Sequence, residues 1–253
     1  MSDLVIHGAL GMLTGLTGAA ERATGDIRIR DGRIAMIGDV GRMPGDRMVN
    51  ATGCVITPGL ISTHHHLFQS VLKGVPTGID CELEAWLRLV PYSHWNRLDE
   101  DALRVAAEIG MVELLLSGCT TLAAHHYLFD SSYDFDIAEI LFETAARLGL
   151  RLTLARGGST QSRNFDTPEI VPLPNEQLDA MIAHVEALAH RFHDPAPDSL
   201  RRVVMAPTTP LWSLPPDQLP VVAQAARAMG LRLHSHLSET RHYVDYSMER
   251  YGK

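Results

Sequence analysis

Lysine is almost missing from this sequence. The 253 residues hold it only at Lys73 and Lys253, and the formal net charge is −8. A protein that grips nucleic acid neutralises phosphates with clustered Lys and Arg, and no basic stripe is present to do so. Cysteine is scarce as well. Cys54, Cys81 and Cys119 are odd in number and widely spaced, which argues against a disulfide framework and for a reducing, cytoplasmic setting. No Cys-x-x-Cys pair occurs, so zinc ribbons are excluded, as are the zinc deaminases whose ligands include Pro-Cys-x-x-Cys. No apolar run is long enough to cross a bilayer. The start, Met1-Ser2-Asp3-Leu4, lacks the basic region and long apolar core of a secretory leader.

What is present is ordinary for a globular chain: 45% hydrophobic and 21% charged residues. Up to about residue 57 the pattern is of short strands, among them Leu4–Ile6 and Ile27–Arg30. Asp31-Gly32 is a hairpin signal between Ile27–Arg30 and Arg33–Ile37. From residue 55 onward, strand, loop and helix repeat. The expected strands are Val55–Ile61 running into His64-His65-His66, then Thr120–Ala124, Leu150–Arg156, Arg202–Ala206 and Leu231–His236. Between them the sequence predicts helices near Glu82–Val90, from Asp99 to Ser117, Phe135–Leu148, Glu176–Phe192 and Asp217–Met229. Asp99 caps the second of these, and Gly118, Gly149 and Gly230 stop their helices. Such alternation implies parallel strands with right-handed crossovers. Polar residues gather after each strand, where α/β barrels carry their chemistry. No Gly-x-Gly-x-x-Gly turn follows the first strand, which weakens a dinucleotide-binding doubly wound sheet. The expected fold is therefore α/β. Residues 1–56 form an N-terminal β-subdomain of sandwich type. Residues 57–253 form the first part of a (β/α)8 barrel, with about five of its eight units, so the chain reads as truncated.

The histidines organise the chemistry. Side chains alternate along a strand, so His64 and His66 share one face and His65 points the other way. His234 and His236 share a face by the same rule, with His236 nearer the rim, and Glu239 follows three residues on. Neutral imidazoles converging at strand ends can hold a divalent metal, which lowers the pKa of its water enough for hydrolysis near neutral pH. A carboxylate beside that water can carry its proton to a ring nitrogen or a leaving amine. Gln69, just past the first histidines, can donate to and accept from a substrate. Arg156 either binds a substrate oxygen bidentately or forms a structural salt bridge. One of His125 and His126 reaches the pocket, or both serve the loop. Trp86 anchors the helix of the long first loop. His184, His190 and His193 are expected to be solvated.

Two motifs, Pro58-Gly59-Leu60-Ile61-Ser62-Thr63-His64-His65-His66 and His236-Leu237-Ser238-Glu239, resemble the metal motifs of the amidohydrolase superfamily, in its cytosine/guanine deaminase and chlorohydrolase branch. His64–Ser70, Leu154–Gly158 and Met205–Thr209 look most like isoxanthopterin deaminases, with 8-oxoguanine deaminases near. The resemblance implies one divalent metal, usually zinc, on His64, His66 and His236, with Glu239 as proton shuttle; imidazole and carboxylate ligands suit iron too. It also implies a further histidine after a sixth strand and an aspartate after an eighth, both past residue 253. Two-metal relatives carry a lysine after the fourth strand, and none stands there. The implied activity is hydrolytic deamination of a pterin by metal-bound hydroxide, with purine deamination and triazine dechlorination as alternatives. A non-catalytic fragment needing its missing half is the alternative of another class. The implied partner is a small heterocycle, with no nucleic acid and no membrane; a homo-oligomer stays open.

Overall fold

A computed structural model describes residues 3–161 and 173–252. The backbone divides into two compact units, Met1–Gly59 and Leu60–Lys253.

Among the described residues the first unit holds seven short strands: β1 (Leu4–His7), β2 (Gly11–Leu13), β3 (Arg22–Ala23), β4 (Asp26–Arg30), β5 (Arg33–Gly38), β6 (Arg47–Asn50) and β7 (Val55–Ile56). They make a four-stranded sheet of order β5-β4-β1-β6 and a three-stranded sheet of order β3-β2-β7. The β4–β5 hairpin forms across Asp31-Gly32, with Arg30 opposite Arg33. Arg28 is buried, and its guanidinium is matched by Asp3 at 2.7 Å and Asp46 at 2.8 Å; an unmatched buried cation would be far costlier.

Among the described residues the second unit is built on a parallel sheet of four strands in chain order: β8 (Leu60–His65), β9 (Cys119–His126), β10 (Arg151–Gly158) and β11 (Arg201–Pro207). Its helices are α1 (Leu83–Leu89), α2 (Pro91–His94), α3 (Glu100–Leu116), α4 (Ile137–Leu148), α5 (Leu178–Phe192), α6 (Leu219–Ala228) and α7 (Arg241–Tyr251). Strict sequential order, each strand beside its predecessor, is the barrel arrangement; a doubly wound sheet reverses its order partway. Asp99 caps α3 by accepting from the Ala102 N–H at 2.8 Å, and Gly149 ends α4 in the left-handed region at φ 75°. Leu122, Leu152, Leu154 and Val203 are fully buried and pack with Leu141, Leu188 and Phe192 of the helices.

Three expectations change. The run Val55–Ile61 is not one strand. Pro58 cannot donate to a ladder, so β7 pairs with β2 and β8 begins only at Leu60. The strand expected to close at Gly157-Gly158 continues through both glycines. A Cβ on Gly157 would lie 2.7 Å from His125 Nε2, so glycine lets that ring close onto the sheet. The fifth strand reduces to a parallel bridge between Leu233 and Met205. Its backbone still tracks β11, with His234 N–H donating to Met205 O at 3.0 Å and His236 N–H to Thr208 O at 3.1 Å.

Candidate metal centre

Strand alternation sorts the histidines. On β8 and the residue beyond it, His64 and His66 project to one side, and His65 stands level with Ala124 on the other. On β9 and β10, His125 is level with Ala155 and His126 with Arg156. The segment that follows β11 brings His236 to the first set. His64, His66 and His236 offer ligand atoms that all lie within 4.8 Å of one another, although 170 positions separate His66 from His236 in the chain.

Backbone carbonyls orient two of the three rings. His66 Nδ1 lies 2.7 Å from His125 O, and His236 Nδ1 lies 2.6 Å from Thr208 O. A carbonyl only accepts, so both Nδ1 atoms carry the proton and both Nε2 atoms are lone pairs when the rings are neutral. Those two Nε2 atoms face each other at 3.1 Å. Two acceptors at that distance repel unless a cation sits between them. Burial holds His66 down at about 3, so at neutral pH its own proton does not fill that role. Desolvation and the nearby His236 push His64 down as well. Three imidazoles, two with carbonyls that fix the tautomer, are the donor set of a divalent metal, and the residues fit one.

The surrounding cavity holds about 400 Å³ and is lined by Gln69, Trp86, Tyr127, Thr208 and Glu239 besides the three histidines. That is large enough for a bicyclic heterocycle. Glu239 is exposed at its rim. Ser238 lies in the left-handed region at φ 53°, a turn few non-glycine residues adopt, which breaks the extended backbone just before Glu239. Gln69 Nε2 donates to the Tyr127 hydroxyl at 3.2 Å. Trp86 both packs against the main core and faces the cavity.

His125 is the residue the sequence left undecided. It is fully buried, its ring centroid 4.5 Å from that of His236 and 5.6 Å from that of His66. His234 packs beneath, its Nε2 3.1 Å from Thr63 O and its Nδ1 3.3 Å from His125 Nδ1. Burial and the neighbouring rings push His125 well below the usual histidine range.

Arg156 does not join this cavity. It alternates to the other face of β10, where it is 1% exposed. Its guanidinium grips Glu176 bidentately at 2.7 and 2.6 Å and meets His184 Nδ1 at 2.8 Å. It also stacks 4.5 Å from the Phe129 ring centroid. The substrate role for Arg156 gives way to the salt bridge, because its position in the pleat points it at α5. His184 and His193 are likewise not free in solvent: His193 Nδ1 accepts from the Val203 N–H at 3.1 Å.

Comparison with known proteins places the chain in a family. The amidohydrolase family model matches residues 55–253. An isoxanthopterin deaminase from an unknown prokaryotic organism is 47% identical over 253 residues, covering 98% of this chain and 52% of that protein. An 8-oxoguanine deaminase of Pseudomonas aeruginosa is 31% identical, covering 91% of this chain and 51% of that protein. The crystal structure of an atrazine chlorohydrolase from Arthrobacter aurescens, complexed with zinc, superposes with a TM-score of 0.85 at 26% identity, covering 98% of this chain and 56% of that one. The chain thus spans about half the length of these relatives. It belongs to the amidohydrolase family.

Proposed function

We propose that the protein is a metal-dependent aminohydrolase acting on an amino-substituted N-heterocycle, a pterin of the isoxanthopterin type, with residues 57–253 carrying the hydrolase site. The observation that carries this reading is the pair of facing lone pairs on His66 and His236, 3.1 Å apart with His64 beside them. Likeness to the isoxanthopterin deaminase supports the pterin over a purine or a triazine.

In this reading His64, His66 and His236 hold one divalent cation, zinc as in the complexed chlorohydrolase. When bound, it supplies a Lewis acid that activates water near neutral pH. Glu239 takes the proton of the attacking water and delivers it to the ring nitrogen beside the amino-bearing carbon. The proton of the newly added hydroxyl then passes to the amino group, leaving a carbonyl, and the carbon–nitrogen bond breaks with loss of ammonia. Gln69, held by Tyr127, offers its second N–H and its carbonyl oxygen to the ring edge. The His125 and Thr208 carbonyls keep the His66 and His236 lone pairs turned inward.

Metal analysis and ammonia release from isoxanthopterin test the proposal. The protein is expected to bind about one zinc per chain, His66→Ala to lose it, and Glu239→Ala to keep it while ammonia release falls roughly a hundredfold or more. Unchanged zinc and unchanged turnover in both variants would end it.

A further inference from the structure

We propose that Glu84 and His242 are positioning residues: their contact ties together two stretches that line the histidine cavity and so fixes where Glu239 stands. The inference rests on the function proposed above and names groups that act through Glu239, not on the substrate.

Two parts of the chain far apart in sequence line the cavity. Leu83, Trp86 and Leu87 come from α1, and His236 and Glu239 from the segment that leads into α7. Glu84 is the neighbour of Leu83, and His242 lies three residues past Glu239. His242 Nδ1 meets Glu84 Oε1 across 158 positions of chain. A carboxylate accepts, so the ring donates from Nδ1.

Glu239 is exposed and follows the left-handed turn at Ser238. The start of α7 is what fixes the backbone on its other side. Thr240 caps that helix by accepting from the Tyr243 N–H at 3.1 Å. The Tyr243 hydroxyl donates to Pro210 O at 2.6 Å, and its ring lies 4.7 Å from that of Trp212. These contacts tie α7 to the loop after β11. His242 adds the tie to α1, its ring set edge-on to Trp212 with centroids 5.7 Å apart. The His242 and Glu84 side chains are 65% and 35% exposed. Such a pair adds little to overall stability, so its effect is local. A proton shuttle works only within hydrogen-bond reach, and a misplacement of about 1 Å can cost up to about a hundredfold in rate.

Hydrogen–deuterium exchange of the metal-free protein, with metal analysis and ammonia release from isoxanthopterin, tests this. His242→Ala and Glu84→Ala are each expected to speed amide exchange about threefold or more in both α1 and α7. Both should keep zinc and lower kcat about tenfold at nearly constant KM. His242→Asn, whose amide N–H stands about where Nδ1 does, should restore both readouts. Faster exchange confined to the substituted helix, or in neither, overturns the proposal and leaves the deaminase reading standing. So does loss of zinc, or faster exchange in both helices with kcat unchanged. Absence of ammonia release by the unsubstituted protein overturns both readings.

Discussion

The ends of β9 and β10 carry polar residues on both faces, and the two faces solve opposite problems. On one, His125 lies among His64, His66 and His236 beside a cavity of about 400 Å³. On the other, Arg156 lies with Glu176 and His184 beside a cavity of about 620 Å³. The larger one is the quieter. There a buried cation meets a carboxylate in two short hydrogen bonds and an aromatic face, so its charge is compensated within the fold. Across the sheet, carbonyls consume the N–H donors of His66 and His236, leaving lone pairs that face one another. Size does not separate the two pockets; what differs is that the Arg156 guanidinium meets a carboxylate, whereas the His66 and His236 lone pairs meet only each other.

Removing one side of the Arg156 pair gives the largest expected effect on stability. Glu176→Ala leaves a guanidinium buried without its carboxylate and should destabilise by roughly 3 kcal/mol, measured by urea unfolding. Zinc binding should stay unchanged. A loss of zinc with no loss of stability would merge the two faces into one site.

The pH dependence of stability sharpens the contrast through His126, which shares the Arg156 face. Burial holds its pKa down at about 3, against about 6.5 in an unfolded chain. The unfolded state therefore takes up a proton that the folded state refuses. This contribution is complete above about pH 6.5 and is lost as pH falls toward 3. About 2 kcal/mol should be gone by pH 5. His126→Phe, set between Phe68 and Phe129, should flatten that slope; an unaltered slope would show that His126 titrates normally.

A third effect, on stability and metal affinity together, comes from the glycine that lets the faces differ. In Gly157→Ala the new Cβ would meet His125 Nε2 and Tyr127 Cβ at 2.7 Å and His126 O at 2.8 Å. Overpacking of this kind costs about 1–3 kcal/mol. Because His125 O holds His66, zinc affinity should fall with it. Stability and affinity both within error of the unsubstituted protein would mean the His125 ring is not pinned by the sheet.

Much of this was legible beforehand where the governing rule is local. Alternation along β8 put His64 and His66 on one side and His65 on the other. The side chain of Asp99 announced the start of α3, and Gly149 the end of α4. The strand-end placement of His236 and Glu239 came from the same βα pattern, even though the fifth strand proved to be only a bridge. Arg156 was left between a substrate contact and a salt bridge because a strand's period says which residues share a face but not which face is the inner one. Its partner, Glu176, lies 20 positions on. His125 was undecided for the same reason.

By itself the sequence determined which residues could act together: periodicity, caps and turn residues are properties of neighbouring positions, and they set the order of elements and the sides on which side chains emerge. Only the tertiary structure decided what each polar group met. The proton on His66 is placed by the carbonyl of His125, the one on His236 by the carbonyl of Thr208, and the charge of Arg156 is answered by Glu176. Hydrogen bonds and ion pairs act over a few ångströms of space, and a distance along the chain does not say which groups will come that close.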